Sequence, residues 1–173
     1  MEQLSMLRGN EPVQDYSFPD GYYMRPYQPS LNDGCAWCEC CIDGELSVTE
    51  ISEEFFEKFM LNDPTVNPAN IYFLISPTGE VAGTITYQYT KEEGLGRIHM
   101  VGVQKKYLGK RLSLPMSLYV VQKILDDGKA RINLSTDDWR IPAIKTYLRA
   151  GFKPIYHHPD MEERWNKIKG ELV

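Results

Sequence analysis

Apolar positions along this chain recur at two spacings, every second residue in some stretches and every third or fourth in others, and the change-overs outline its elements. Residues 71–76 (IYFLIS), 81–89 (VAGTITYQY) and 97–103 (RIHMVGV) read as three successive strands. The turns between them, 77–80 (PTGE) and 91–96 (KEEGLG), are short, so the strands are expected to run antiparallel. After Val103 the period changes, and Leu114, Leu118, Val121 and Leu125 form one helical stripe that Asp126-Asp127-Gly128 ends. The next strand, 130–135 (ARINLS), is reached through that helix and is therefore expected parallel to 97–103. Thr136-Asp137-Asp138 caps a helix over 139–150, Gly151 closes it, and 152–156 is a last strand. Met161, Trp165, Ile168 and Leu172 then place one more amphipathic helix.

Ahead of residue 71 the pattern is less regular. Residues 1–20 are polar and interrupted by Gly9, Pro12 and Pro19, so they read as an N-terminal arm, with 21–173 as a single domain. Residues 21–27 (GYYMRPY) alternate as a strand does, and Pro26 keeps it at a sheet edge. A short helix is expected over 33–42, and a second runs to Leu61 with Thr49 as N-cap and an inward stripe of Ile51, Phe55 and Phe59, Phe56 and Met60 lying beside it. Asn62-Asp63-Pro64 stops it.

All four cysteines, Cys35, Cys38, Cys40 and Cys41, fall in the first of these helices. Cys35-x-x-Cys38 has the spacing of a zinc ligand pair, but His99, His157 and His158 offer no clear second pair. The preferred reading makes cysteine a small buried hydrophobe sharing a helix face with Trp37 and Ile42, and no metal is expected.

A chain of 173 residues, 42% hydrophobic and 25% charged, suits an ordinary globular protein with a real core. Its net charge of −5 excludes a general nucleic-acid binder, whose footprint is clustered positive charge. With neither a leader-like segment nor a membrane-length apolar run in view, the expected location is cytoplasmic, with no nucleic acid and no membrane as partner. Against that acidic background, Lys105, Lys106, Lys110 and Arg111 crowd into one turn. Proline fits only the first turn of a helix, so Pro115 sets the helix start near Ser113 and leaves free amides between Gly109 and Leu114. Free amides, a helix N-terminus and added cations make an anion site, which we read as the holder of a coenzyme's pyrophosphate.

Two stretches carry a resemblance to a known family. Val103-Gln104-Lys105-Lys106-Tyr107-Leu108-Gly109-Lys110-Arg111-Leu112-Ser113 looks like a strand-end valine followed by the Q/R-x-x-G-x-G/A loop of the GNAT superfamily of acetyl-CoA dependent N-acetyltransferases. Ala143-Ile144-Lys145-Thr146-Tyr147-Leu148-Arg149-Ala150-Gly151-Phe152 is similar to that family's A-x-x-x-Y-x-x-x-G-F helix and strand. The first match is degenerate: Leu108 replaces Gln or Arg, Arg111 replaces the first glycine, and Ser113 stands where glycine or alanine is common.

The resemblance implies an α/β (α+β) fold with a GNAT-like mixed central sheet, ordered β-α-α-β-β-β-α-β-α-β with a C-terminal helix. It implies acetyl-CoA as co-substrate and an amine acceptor, expected to be a small molecule, with a homodimer allowed. The coenzyme's pantetheine arm is expected to pair with Val101, Gly102 and Val103, and its pyrophosphate to meet Leu108, Gly109, Lys110, Arg111, Leu112 and Ser113. Tyr147 is implied as the general acid to the leaving thiolate. Arg140 stands where many relatives carry asparagine and is a further coenzyme contact. Some relatives place a glutamate base where this chain has Arg97, so His99, expected on the strand face of Val101 and Val103, becomes the candidate base. A coenzyme-binding sensor without turnover is the competing function, and a zinc-dependent interaction module built on the cysteines a third.

Overall fold

A computed structural model describes residues 2–172. The strands are β1 (Leu4–Arg8), β2 (Tyr23–Pro26), β3 (Val66–Ile75), β4 (Val81–Tyr89), β5 (Leu95–Val103), β6 (Arg131–Thr136) and β7 (Lys153–Ile155). The helices are α1 (Asp33–Asp43), α2 (Glu53–Phe56), α3 (Ser113–Asp126), α4 (Ile141–Arg149) and α5 (Met161–Glu171). All seven strands join one sheet in the order β2-β3-β4-β5-β6-β1-β7. Helices cover both faces. Trp37, Cys38 and Cys41 of α1 pack with Phe56 of α2 on one side, while Met116, Val120 and Ile124 of α3, Ile144 of α4 and Trp165 of α5 pack on the other. Each such side chain, fully removed from water, contributes about 1.5–3 kcal/mol, and this burial holds the layers to the sheet.

The antiparallel run β3-β4-β5 and the parallel pairing of β6 with β5 are as expected. The N-terminal residues are not. Leu4–Arg8 forms a strand inside the sheet, paired with both β6 and β7, and Leu4 and Met6 are fully buried, so this part of the expected arm belongs to the core. The second helix also differs: Ser52 rather than Thr49 accepts from the Phe55 N–H as N-cap, and after Phe56 the helix widens into a π turn over Glu57–Leu61. Phe56 and Met60 face inward, whereas Ile51 and Phe59 are each about half exposed (52% and 49%). The wider turn rotates Phe59 out of the stripe that a regular helix would give it. Cys38, Cys40 and Cys41 are buried free thiols in the core layer of α1.

Two departures from regular sheet geometry shape the molecule. β5 pairs with β6 only through Leu95, Gly96 and Arg97, after which the strands part. Between Thr84↔Gly102 and Thr86↔His99, β5 spends two residues against one of β4, a β-bulge in which Met100 takes a left-handed conformation (φ 50). Ile98 and Val103 therefore reach the same core cluster although they lie an odd number of residues apart. His99, opposite in face to Ile98, consequently does not share the face of Val101 and Val103; it lies on the α1 and α2 side, where the bulge also turns Met100.

Candidate active site

The divergence of β5 from β6 opens a cleft, and the chain between β5 and α3 forms its rim. After Val103, the Gln104 N–H closes onto Ala82 O at 2.9 Å, and a 3-10 turn over Lys105–Tyr107 follows. Lys106 Nζ and Tyr107 Oη both bind the Glu80 carboxylate, at 2.7 and 2.8 Å, and Lys106, Tyr107 and Thr78 hold that acid down to about 2. Lys105 leans toward Asp43. Half of the basic cluster thus braces the turn, and Lys110 and Arg111 remain at the cleft. Gly109 and Arg111 are both left-handed (φ 78 and 59). Glycine adopts this freely, but arginine does so at a cost of about 1–2 kcal/mol. From Gly109 to Leu114, six consecutive amides donate no hydrogen bond to the described residues, and they lead into the N-terminus of α3. These are the free amides expected from Pro115.

A cavity of about 830 Å³ runs from this loop into the cleft. Leu108, Gly109, Lys110, Arg111, Leu112 and Ser113 form its outer end, and Val103, Val101, Arg140 and Tyr147 its inner end. The Gln104 N–H points at β4, so by strand alternation Gly102 also faces β4 and the amide of Val103 faces the cleft, while Val101, at the bulge, lines the cavity. Gly102 does not line the cavity. A Cβ there would lie 2.3 Å from Cys40 O, so its bare backbone is what lets the end of α1 press against β5.

Tyr147 lies inside α4, buried, and makes no side-chain hydrogen bond to the described residues; burial pushes its phenol up to about 12, with Arg140 acting in the opposite sense. Arg140, just ahead of α4, donates to Gly44 O, lies 3.6 Å from Asp137 Oδ2 and has Trp139 against its guanidinium.

A second cavity, about 350 Å³, lies on the α1 and α2 side of the bulge. It is lined by His99 and Arg97 of β5, Ser135 of β6, Phe59, Met60 and Trp37, and it meets the first at Glu45, Val101, Arg140 and Tyr147. His99 is pushed down to about 4, first by burial and then by Arg97, so it is neutral at pH 7. The structure therefore brings Val101, Tyr147 and Arg140 together where the cavities join, keeps the loop residues at the far end of one cavity, and sets His99 in the other. Arg97 and Glu45 were not singled out as site residues by the sequence; their signals are the parting of β5 and β6 and a left-handed glutamate (φ 55).

A mixed sheet parted between β5 and β6, with an amide-lined turn before α3, defines the fold of the GCN5-related N-acetyltransferases. The structure of one from Sphaerobacter thermophilus matches with a TM-score of 0.71 at 20% identity, over 90% of this chain and 50% of that one. Another, from Kribbella flavida, matches with a TM-score of 0.59 at 17% identity, over 89% of this chain and 55% of that one. The model of the acetyltransferase (GNAT) family matches residues 41–152, and the chain belongs to this family. Among curated relatives, the mycothiol acetyltransferase of Segniliparus rotundus is 27% identical over 152 residues, covering 82% of this chain and 55% of that protein. That of Streptomyces bingchenggensis is 24% identical over 150 residues, covering 82% and 45%. The chain thus spans about half the length of the curated relatives it matches.

Proposed function

We propose that the protein transfers an acetyl group from acetyl-CoA to the amine of a small molecule. The observation that carries this reading is the junction of the two cavities at Val101 and Tyr147: one cavity runs out to six unpartnered amides, the other ends among polar side chains. The residues present suit the coenzyme. The amides of 109–114 and the start of α3 receive pyrophosphate oxygens, with Lys110 and Arg111 adding positive charge. The cleft-facing amide of Val103 suits pairing with an extended amide-containing arm, and we assign to the Val101 N–H, at the bulge, the hydrogen bond to the thioester oxygen as charge develops there.

An amine entering from the second cavity reaches the thioester carbon at the junction. The C–N bond forms, the C–S bond breaks with its electron pair on sulfur, and the amine loses one proton. Tyr147, protonated at neutral pH, donates to the departing sulfur. Burial that raises the phenol also raises the proton affinity of a thiolate in the same cavity, so donor and acceptor stay matched. His99 is neutral but a poor base with its pKa near 4, so we assign the amine's proton to water rather than to the imidazole. The names of the mycothiol acetyltransferases support a small-molecule acceptor.

Thiol release from acetyl-CoA across a panel of amines tests the activity, and Tyr147→Phe tests the acid. We expect kcat to fall about 10²-fold or more while the affinity for CoA changes less than twofold. Unchanged kcat would remove Tyr147 from the chemistry. Tight CoA binding with no turnover on any amine would favour the sensor reading.

A further inference from the structure

The second cavity contains a guanidinium that no acid among the described residues pairs with. Arg97 lies at its closed end, at the last residue pair joining β5 to β6. Its Nη2 donates to Ser135 Oγ at 3.1 Å, its Nε is buried without a partner, and it joins none of the ion pairs among the described residues. Other shielded arginines are treated differently. Arg25 binds Asp33 at 2.6 Å, Arg164 binds Asp138 and Asp160, and Arg8 is ringed by the carbonyls of Gly9, Glu11, Pro12 and Ala150. Asp63, close enough to act on His99, already accepts from Thr65 and Gln88. Arg97 is half-buried, and a guanidinium partly withdrawn from water without an anion has its planar fork, the group best shaped to take a carboxylate or phosphate, left open.

The junction has the opposite character. Glu45 lines both cavities there, held in a left-handed backbone, and its carboxylate accepts no hydrogen bond from the described residues. Arg140 is also at the junction, but Asp137 faces it. The cavity therefore has an unpaired guanidinium at its closed end and an exposed, unpaired carboxylate at the junction where the amine must sit.

We propose that the acceptor is an amine that also bears an anionic oxygen group, with Arg97 holding that group at the closed end and Glu45 facing the amino group at the junction. This rests on the acetyl-transfer reading above. A carboxylate and a phosphate share the chemistry Arg97 recognises, and the test separates them. Glycine, β-alanine and γ-aminobutyrate are each compared with their carboxamides, and glucosamine 6-phosphate with glucosamine, by thiol release from acetyl-CoA. The three acid lengths sample different reaches from Arg97 to the junction.

In at least one pair the anionic member should have the higher kcat/KM by about tenfold or more, the usual scale of a hydrogen bond to a charged group. Arg97→Gln should abolish that preference, whatever it does to the rate with the neutral member. A neutral member equal or better in every pair that turns over would overturn the proposal on the wild-type protein alone, without recourse to a variant. Equal slowing of both members by Arg97→Gln would also overturn it, since that is the behaviour of a brace between β5 and β6. Calorimetric binding of the same pairs to the CoA-loaded protein needs no turnover. Loss of the acid preference there overturns the anion site, whereas absent thiol release with the preference intact overturns only the transferase reading.

Discussion

Burial first and the Arg97 guanidinium second depress the pKa of His99, against the opposing pull of the Asp63 carboxylate, and this couples the acceptor cavity to stability. Above pH 6.5 the imidazole is neutral in the folded and unfolded chain alike, and its protonation costs the fold nothing. As pH falls below 6.5 the unfolded chain takes up a proton that the folded one refuses until about pH 4, so stability is lost across that window at up to about 1.4 kcal/mol per pH unit. Urea unfolding at pH 7 and pH 5 checks this. His99→Gln should reduce the stability lost between those two pH values by roughly 1–2 kcal/mol relative to wild type, because the titrating carboxylates are common to both. An identical loss in the two proteins would mean that the imidazole is solvated in the folded state. The sequence named His99 but put it on the wrong face, since simple alternation over IHMVGV ignores the extra residue that Met100 inserts. Arg111 raises a related difficulty: nothing in its side chain announces a left-handed backbone, and only its place in the glycine-bearing motif did.

Close contact between α1 and β5 sets the junction of the cavities. Gly102 and Gly44 lie against one another there, each also touching the Cys40 carbonyl region, and Gly44 O receives Arg140. A methyl group at Gly102 would meet backbone at 2.3 Å, which must move because no flexible side chain can yield. Gly102→Ala should therefore destabilise by about 1–3 kcal/mol and lower turnover, as the end of α1 carries Gly44 and Glu45 away from Val101. Gly170→Ala, in α5 with nothing within 4 Å of the added carbon, is the matched control and should be neutral or slightly stabilising. Chemical unfolding of the two variants tests the contrast; equal stabilities would show that α1 has room to give. β3 and β4 were legible because continuous buried runs are bounded by short turns, and β6 and α3 because one buried face dictates their period. β1 was not, although Leu4 and Met6 alternate with Ser5 and Leu7, because its partners β6 and β7 lie more than a hundred residues away and Gly9 and Pro12 dominate the local signal. The π turn after Phe56 was equally invisible, for the stripe Ile51, Phe55, Phe59 suits a regular helix as well as Phe56 and Met60 suit the observed one.

Taken whole, the sheet is two blocks, β2-β3-β4-β5 and β6-β1-β7, joined edge to edge only at Leu95, Gly96 and Arg97. Beyond those pairs the blocks are held by α3 and α4 packed across one face, and strand edges that would ordinarily pair with each other are left open. The parallel pairing of β6 with β5 follows from the crossover through α3, which the sequence foretold; the bulge in β5 it did not. A coenzyme arm lying between the blocks would supply the missing pairing, and this gives a signature that differs from docking on the loop alone. With CoA at a hundred times its Kd, linkage adds about 2.7 kcal/mol to stability, which for a domain of this size is a rise of roughly 5–10 °C in Tm. The same addition should slow amide hydrogen exchange in two separate places, at residues 109–114 and at Val101 and Val103, while the amides of Gly102 and Gln104, already directed at β4, change little. Protection confined to 109–114 would mean that the phosphates bind but the arm does not enter the cleft, and Val101 would then lose its assigned part in polarising the thioester.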